Sequence, residues 1–300
     1  MTNYASDDQL IWQRDGAAWP NREFSRFIGV AGTELHVQQM GTGPVALLLH
    51  GTGASTHSWR DLAPLLAKRF TVIAPDLPGH GFSEMPAAKT LSLPVMASVI
   101  TQLMSALTAT PALVVGHSAG AAILIKMTID GTIAPRAVVS LNGALLPLRG
   151  LAGQVFSPLA KALVQNSLVP RMFAWRAGQT GVIERLLSNT GSSLDRRGTE
   201  LYARLARSPR HVSGALSMMA NWDLETFARD LHRLAVPLML VVGGADRTIS
   251  SADAFRVRDQ LPAARIEYLR GLGHLAHEER PEEIAALLTG YFDSLQTQRG

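Results

Sequence analysis

Six short apolar runs, separated by stretches of helical spacing, constrain this chain more than any other feature. Val45 to His50 is a continuous apolar run that ends in a glycine-rich turn. Phe70 to Pro75, Ala112 to Gly116, Ala137 to Leu141, Pro237 to Gly243 and Arg265 to Leu269 repeat that style. Runs without polar alternation suit strands covered on both faces, as in a parallel sheet. Between them, Trp59 to Lys68, Leu93 to Leu107, Ala119 to Ile129, Ala252 to Leu261 and Pro281 to Leu295 carry helical patterns. Parallel neighbours require crossovers, so the alternation predicts an α/β architecture with right-handed connections. Ahead of it, Arg26 to Val30 and Glu34 to Met40 flank Ala31-Gly32-Thr33 and read as a hairpin.

The alternation stops after Leu141 and resumes at Pro237. So long an interval is not a bare loop in a compact domain, and it should carry its own helices. The chain therefore divides into a core of residues 1–142 and 236–300 and a helical cap of residues 143–235, inserted after the sixth strand and expected to roof the active site. With 300 residues, 47% of them hydrophobic, the core can be large. Residues Met1 to Asn21 are expected as a loosely attached arm, and neither repeats nor low-complexity tracts are present.

Cysteine is absent, which excludes disulfides and thiolate metal sites. Met1 to Ser25 contains acids and no apolar segment of the secretory kind. Nor is there a run of about 18 uncharged apolar residues to span a membrane. A cytoplasmic location is the expectation. From Gly143 to Ala235, eleven arginines and Lys161 face six acids, whereas the whole chain carries a net charge of +4. Such a basic cap suits an anionic substrate, an acidic protein or peripheral contact with a membrane surface. It equally suits solvated helix faces. No nucleic-acid recognition motif accompanies the charge, so no nucleic acid is expected as a partner.

The chemistry starts at Gly116-His117-Ser118-Ala119-Gly120, between a Val-rich run and a helical pattern. A free serine hydroxyl is a poor nucleophile; it needs a strained strand-to-helix turn to expose it and a base to take its proton. His274, in the glycine-bordered loop after the last expected strand, is the best base. Asp246 follows Leu240-Val241-Val242-Gly243-Gly244-Ala245, where a carboxylate can orient an imidazole. Asp246 also reads as a turn or capping residue ahead of Thr248 and Ser250, and Asp223 and Asp253 are weaker alternatives. The order Ser118, Asp246, His274 is that of a serine hydrolase with a Ser-His-Asp triad. His274 and His277 with Glu278 lack the spacing of a zinc motif, so neither a metal nor another cofactor is expected. His50-Gly51-Thr52-Gly53 ends the first long apolar run, and the N–H groups of Thr52 and Ala119 are the natural oxyanion donors. As a nucleotide loop the stretch fails, because no Walker lysine follows.

Across nearly the whole core, the strand-end His50-Gly51, the Asp76-Leu77-Pro78-Gly79-His80-Gly81-Phe82-Ser83 loop, the Gly116 to Gly120 turn, Asp246 and Gly273-His274 resemble the α/β-hydrolase superfamily. That resemblance implies a mostly parallel eight-stranded sheet flanked by helices. At finer grain, four stretches resemble the magnesium-chelatase accessory proteins of bacteriochlorophyll biosynthesis (BchO type). They are Trp19 to Ser25, Gly51 to Arg60, Leu141 to Leu145 and Met218 to Leu224, and the last lies in the cap. This similarity implies a place near magnesium insertion into protoporphyrin, with a tetrapyrrole or another ester as substrate and magnesium-chelatase subunits as partners. Trp59, Phe156, Met172, Trp175, Met218 and Trp222 then become substrate-contact candidates, since flat or adaptable apolar groups suit a macrocycle. The same residues also suit ordinary cap packing. Asn142, at a strand end, serves either as a hydrogen-bonding residue of the site or as a turn former. Two roles remain open: an esterase-like serine hydrolase, or a non-catalytic porphyrin-binding or chelatase-assisting module on the same fold.

Overall fold

A computed structural model of the protein describes residues 9–30, 32–86, 90–147, 166 and 168–297. Its sheet contains β1 (Ser25–Val30), β2 (Thr33–Met40), β3 (Val45–Leu49), β4 (Thr71–Pro75), β5 (Pro111–His117), β6 (Ala137–Leu141), β7 (Leu238–Gly243) and β8 (Arg265–Leu269). Their order is β1-β2-β4-β3-β5-β6-β7-β8. β2 runs antiparallel to β1 and β4, and every other pair is parallel.

Because strand side chains alternate, each central strand feeds two separate cores. Leu47, Leu49, Val114, Val138 and Leu240 pack on one face beneath α3 (Leu93–Ala106) and α4 (Ala119–Ile129). Ala46, Leu48, Val115, Val139 and Val241 pack on the other, against Leu62 and Leu66 of α2 (Leu62–Leu66) and Ile284, Leu288 and Phe292 of α12 (Pro281–Thr297). These strand residues are nearly all fully buried, which is why their sequence shows no polar alternation. Pro94 fits the first turn of α3, where no N–H is needed.

Strand order reverses at β3, whose neighbours are β4 on one side and β5 on the other. Crevices open at the carboxyl ends of strands at such a switch point. The Gly51-Thr52 turn leaves β3 there, and Ser118 leaves β5 beside it.

Between β6 and β7 the described residues form α5 (Leu168–Ala177), α6 (Val182–Asn189), α7 (Arg196–Ala206), α8 (Pro209–Ala220) and α9 (Leu224–Asp230). Asp195, Ser208 and Asp223 start three of these by accepting a backbone N–H with their side chains. The remaining helices are α1 (Trp12–Asp15), α10 (Ser251–Gln260) and α11 (Ala276–Glu279).

The expected loose arm is not loose from residue 9 onward. Trp12 packs at 4.9 Å from the His36 and Phe82 rings, and Trp19 is buried with its Nε1 donating to Thr56 Oγ1 at 3.1 Å. Two tryptophans carry enough apolar area to hold a segment that otherwise has no periodicity.

Two glycines separate steric need from helix propensity. A Cβ on Gly116 would stand 2.3 Å from Ala121 N, whereas one on Gly290, exposed in α12, meets nothing within 4 Å. We expect Gly116→Ala to lower stability by about 1–3 kcal/mol and Gly290→Ala to raise it by up to about 1 kcal/mol. Thermal melts of the two variants check this; equal shifts would contradict the packing assigned to the β5–α4 turn.

Candidate active site

Ser118 joins β5 to α4 with φ 51° and ψ −117°, a conformation that side chains other than glycine rarely adopt. The turn closes because its flanks lack side chains: a Cβ on Gly120 would lie 2.1 Å from Leu49 O. The neighbouring strand then fixes it. Ser118 N–H donates to Leu141 O at 3.0 Å, and Ser118 O accepts from Ala144 N–H at 3.1 Å. Ser118 itself stays partly exposed. The turn after β3 lies against it, since a Cβ on Gly51 would come within 2.9 Å of Ser118 Cβ. Thr52 follows directly, and Ala119 opens α4, where first-turn N–H groups fall outside the helical ladder.

Asp246 sits in the turn after β7 with its side chain 1% exposed. His274 Nδ1–H donates to Asp246 Oδ2 at 2.8 Å. Oδ1 accepts from Thr248 N–H at 2.7 Å and Ile249 N–H at 3.0 Å, so the turn-forming role and the imidazole-orienting role belong to the same carboxylate. Holding Nδ1–H leaves Nε2 of His274 as the acceptor. The His117 ring, one residue before Ser118, lies 4.7 Å from the His274 ring, and its Nε2–H donates to His274 O at 2.9 Å. Ser118, Asp246 and His274 thus share one end of the sheet, with Thr52 and Ala119 beside the serine.

Asn142 braces this arrangement and does not face outward. With φ 45° at the end of β6, it donates from Nδ2 to Gly273 O at 3.0 Å and His274 O at 2.9 Å, and accepts from Gly243 N–H at 2.7 Å. Glu279 accepts from Gly273 N–H at 2.8 Å on the other side of the loop.

The helices between β6 and β7 clamp the site from above. Thr190 O accepts from His274 N–H at 3.3 Å and Arg247 N–H at 3.1 Å, and Ser192 Oγ accepts from Leu275 N–H at 2.8 Å. Gly191 approaches so closely that a Cβ there would meet Ala245 O at 1.8 Å. On α8, His211 accepts from Gly81 N–H at 3.0 Å through Nδ1 and donates from Nε2 to Gly53 O at 3.1 Å. Met218 receives the Thr52 hydroxyl at its Sδ, 3.4 Å away. A third clamp is Tyr202 of α7, whose hydroxyl donates to Glu278 at 2.7 Å, and Glu278 is itself paired with Arg60 within the core. Burial pushes Glu278 up to about 7 despite the guanidinium beside it.

The other contact candidates scatter. Met218 and Trp222 are buried where α8 meets the core, and Met218 reaches the Thr52 turn. Trp59 is wholly buried against His277 at 4.7 Å. Met172 and Trp175 stand in solvent on α5, and Phe156 lies outside the described residues. Sequence reasoning missed His117, Thr190, Ser192, His211, Glu278 and Glu279 as supports. Of these, only His117 carried a signal, its place inside the Gly-x-Ser-x-Gly turn.

A strained serine turn thus stands at the switch point, with an imidazole–carboxylate pair at the ends of β7 and β8. The alpha/beta hydrolase family model matches residues 46–287, and the chain belongs to that family. It is 39% identical to the magnesium-chelatase 30 kDa subunit of Rhodobacter capsulatus, over 92% of this chain and 97% of that one. It is also 33% identical to a soluble epoxide hydrolase of Corynebacterium sp. (strain C12), over 89% of this chain and 96% of that one. Among solved structures, an epoxide hydrolase without ligand superposes with a TM-score of 0.77 at 21% identity, covering 90% of this chain and 99% of that one. That last likeness shows the fold. No described helix is long and apolar enough to cross a membrane.

Burial holds His50, His57, His80, His117, His211 and His277 below the ordinary value of 6.5, His211 at about 4 and His277 at about 3. These groups stay neutral in the fold but take up protons when the chain unfolds. Their contribution is therefore intact above pH 6.5 and falls as the pH drops below it. Glu278 has the opposite sign. Raised from 4.5 to about 7, it favours the fold as pH falls through that window, by at most about 3 kcal/mol. Six groups of one sign outnumber one of the other, and we expect the melting temperature followed by circular dichroism to fall as the pH drops below about 6.5. A melting temperature unchanged down to about pH 4.5 would refute the neutral, buried state of these rings.

Proposed function

We propose that the protein is a serine hydrolase acting on an ester or related acyl bond. Ser118 attacks the acyl carbon while His274 Nε2 takes its proton, and Asp246 orients the ring and stabilises the imidazolium that forms. The N–H groups of Thr52 and Ala119 hold the tetrahedral oxyanion, His274 returns the proton to the leaving group, and water repeats the sequence in reverse to free the acid. The observation that carries this reading is the 2.8 Å His274–Asp246 hydrogen bond at the rim where the strained Ser118 turn emerges.

The cellular setting we infer is bacteriochlorophyll synthesis near the magnesium-chelatase step, with a tetrapyrrole as substrate and chelatase subunits as partners. Its support is the 39% identity to a protein named as a magnesium-chelatase subunit, over almost the full length of both chains. That same name favours a second reading, in which the fold assists the chelatase as a porphyrin-binding module and Ser118 is idle.

Labelling with a fluorophosphonate probe separates the two. Wild-type protein should label and Ser118→Ala should not, and turnover of an activated ester should fall by about six orders of magnitude. If wild type fails to label across the pH range in which it stays folded, the accessory reading stands. Restoration of pigment in a deficient strain by Ser118→Ala would show that the cell does not need the hydrolysis.

A further inference from the structure

Helix α5 is built inside out. The side chains it turns to the protein are small: Pro170, Ala174 and Ala177 are its buried residues. The side chains it turns to solvent are large and apolar, with Leu168 65%, Met172 59%, Phe173 50% and Trp175 67% exposed. An amphipathic helix in a soluble protein normally does the reverse, burying its large apolar residues and exposing polar ones. Leu168, Met172 and Trp175 are spaced i, i+4, i+7 and fall within about 60° of one another around the axis. They form one stripe along the outer face. Arg171 and Arg176, both exposed, border that stripe on either side, and the helix contains no acid.

We propose that this face of α5 docks on an anionic lipid bilayer surface, with Leu168, Met172 and Trp175 seated at the boundary between headgroups and acyl chains. The flanking arginines decide in favour of this occupant. An arginine beside an apolar stripe can lay its aliphatic stem along hydrocarbon while its head snorkels to phosphates. A tryptophan with one apolar face and one N–H belongs at the same depth. A helix in which the exposed polar residues beside the apolar stripe are all cationic complements a plane of negative charge. The surplus of arginine between Gly143 and Ala235 adds a longer-range attraction of the same sign. The proposal stands apart from whether Ser118 is a working nucleophile, because none of these residues belongs to that site.

Trp175 supplies its own probe, since Trp19, Trp59 and Trp222 are buried and Trp12 is half-buried. We expect the full chain to sediment with vesicles of phosphatidylglycerol and phosphatidylcholine, with a blue shift of tryptophan emission that disappears in Trp175→Phe. Vesicles of phosphatidylcholine alone should bind at least tenfold more weakly, and added salt should weaken the anionic case. Met172→Ser/Trp175→Ser should lose tenfold or more in affinity while keeping the wild-type circular dichroism spectrum and melting temperature, and Arg171→Gln/Arg176→Gln should lose tenfold or more while keeping the wild-type circular dichroism spectrum. Absence of sedimentation with anionic vesicles at millimolar lipid overturns the proposal, as does unchanged binding by folded Met172→Ser/Trp175→Ser. A concentration-dependent doubling of mass in solution, abolished by that double variant, would assign the face to a second copy of the chain and overturn it equally.

Discussion

The close approach of β5 to the end of β3 governs the rest of the molecule. At Gly120 the backbone of α4 comes so near the Leu49 carbonyl that a single methyl group would overlap it, and that proximity sets Ser118 beside the Gly51-Thr52 turn. Two buried parallel strands already lie about 4.8 Å apart by their hydrogen bonding. What the glycines add is the continuation of this spacing beyond the sheet, where the chain must reverse into a helix without moving away. The positive φ of Ser118 is the strain that results, and Leu141 and Ala144 hold it in place through the backbone. Strain of this kind persists only where its surroundings leave no alternative. Here those surroundings are the two apolar cores that sandwich the sheet.

Above that rigid platform the helices between β6 and β7 add polar contacts and close backbone approach to the apolar seam that Met218 and Trp222 make with the core. His211, Thr190, Ser192 and the Arg60–Glu278–Tyr202 group each satisfy a backbone or charged group that the core would otherwise leave buried and unpaired. An interface of this kind is selective about geometry, because a displaced partner leaves an unsatisfied group costing about 1–3 kcal/mol. It is also sensitive to protonation, since His211 accepts at one ring nitrogen and donates at the other, which requires its neutral form. These helices therefore contact the same turns that carry Thr52 and His274.

The sheet and the principal residues of the site were legible in the sequence for a simple reason. Strands buried on both faces, a serine between glycines and an acid and a histidine at strand ends are local patterns, each contained in fewer than ten residues. α4 spans Ala119–Ile129 as its pattern indicated, and each strand of the β1–β2 hairpin starts one residue earlier than its pattern indicated. The supports were not legible, because they are pairings across long sequence separations. Nothing near Asn142 announces that its amide will brace a loop 131 residues away, and nothing near Glu278 announces Arg60. Trp59 shows the opposite failure. An aromatic residue in a stretch resembling a functional motif is just as often core, and its burial decides the matter. Residues 9–21 read as loose in the sequence because anchoring by two tryptophans leaves no periodic trace.

Clamps at three separated points also limit how a ligand can enter. Lifting α7 and α8 away as a unit would expose a buried ion pair, strip both ring nitrogens of His211 and release the Thr52 hydroxyl from Met218. Leaving a buried donor or acceptor without its partner costs about 1–3 kcal/mol, so the sum exceeds what weak substrate binding can return. Entry by a rigid hinge of these helices is thereby disfavoured, and a local adjustment of side chains near Met218 is the cheaper path. Methionine suits such a movement, because its three rotatable bonds let it vacate and refill space without breaking a backbone contact. On the serine-hydrolase reading, a substrate that reaches the Thr52 turn meets Met218 first and displaces it from the Thr52 hydroxyl.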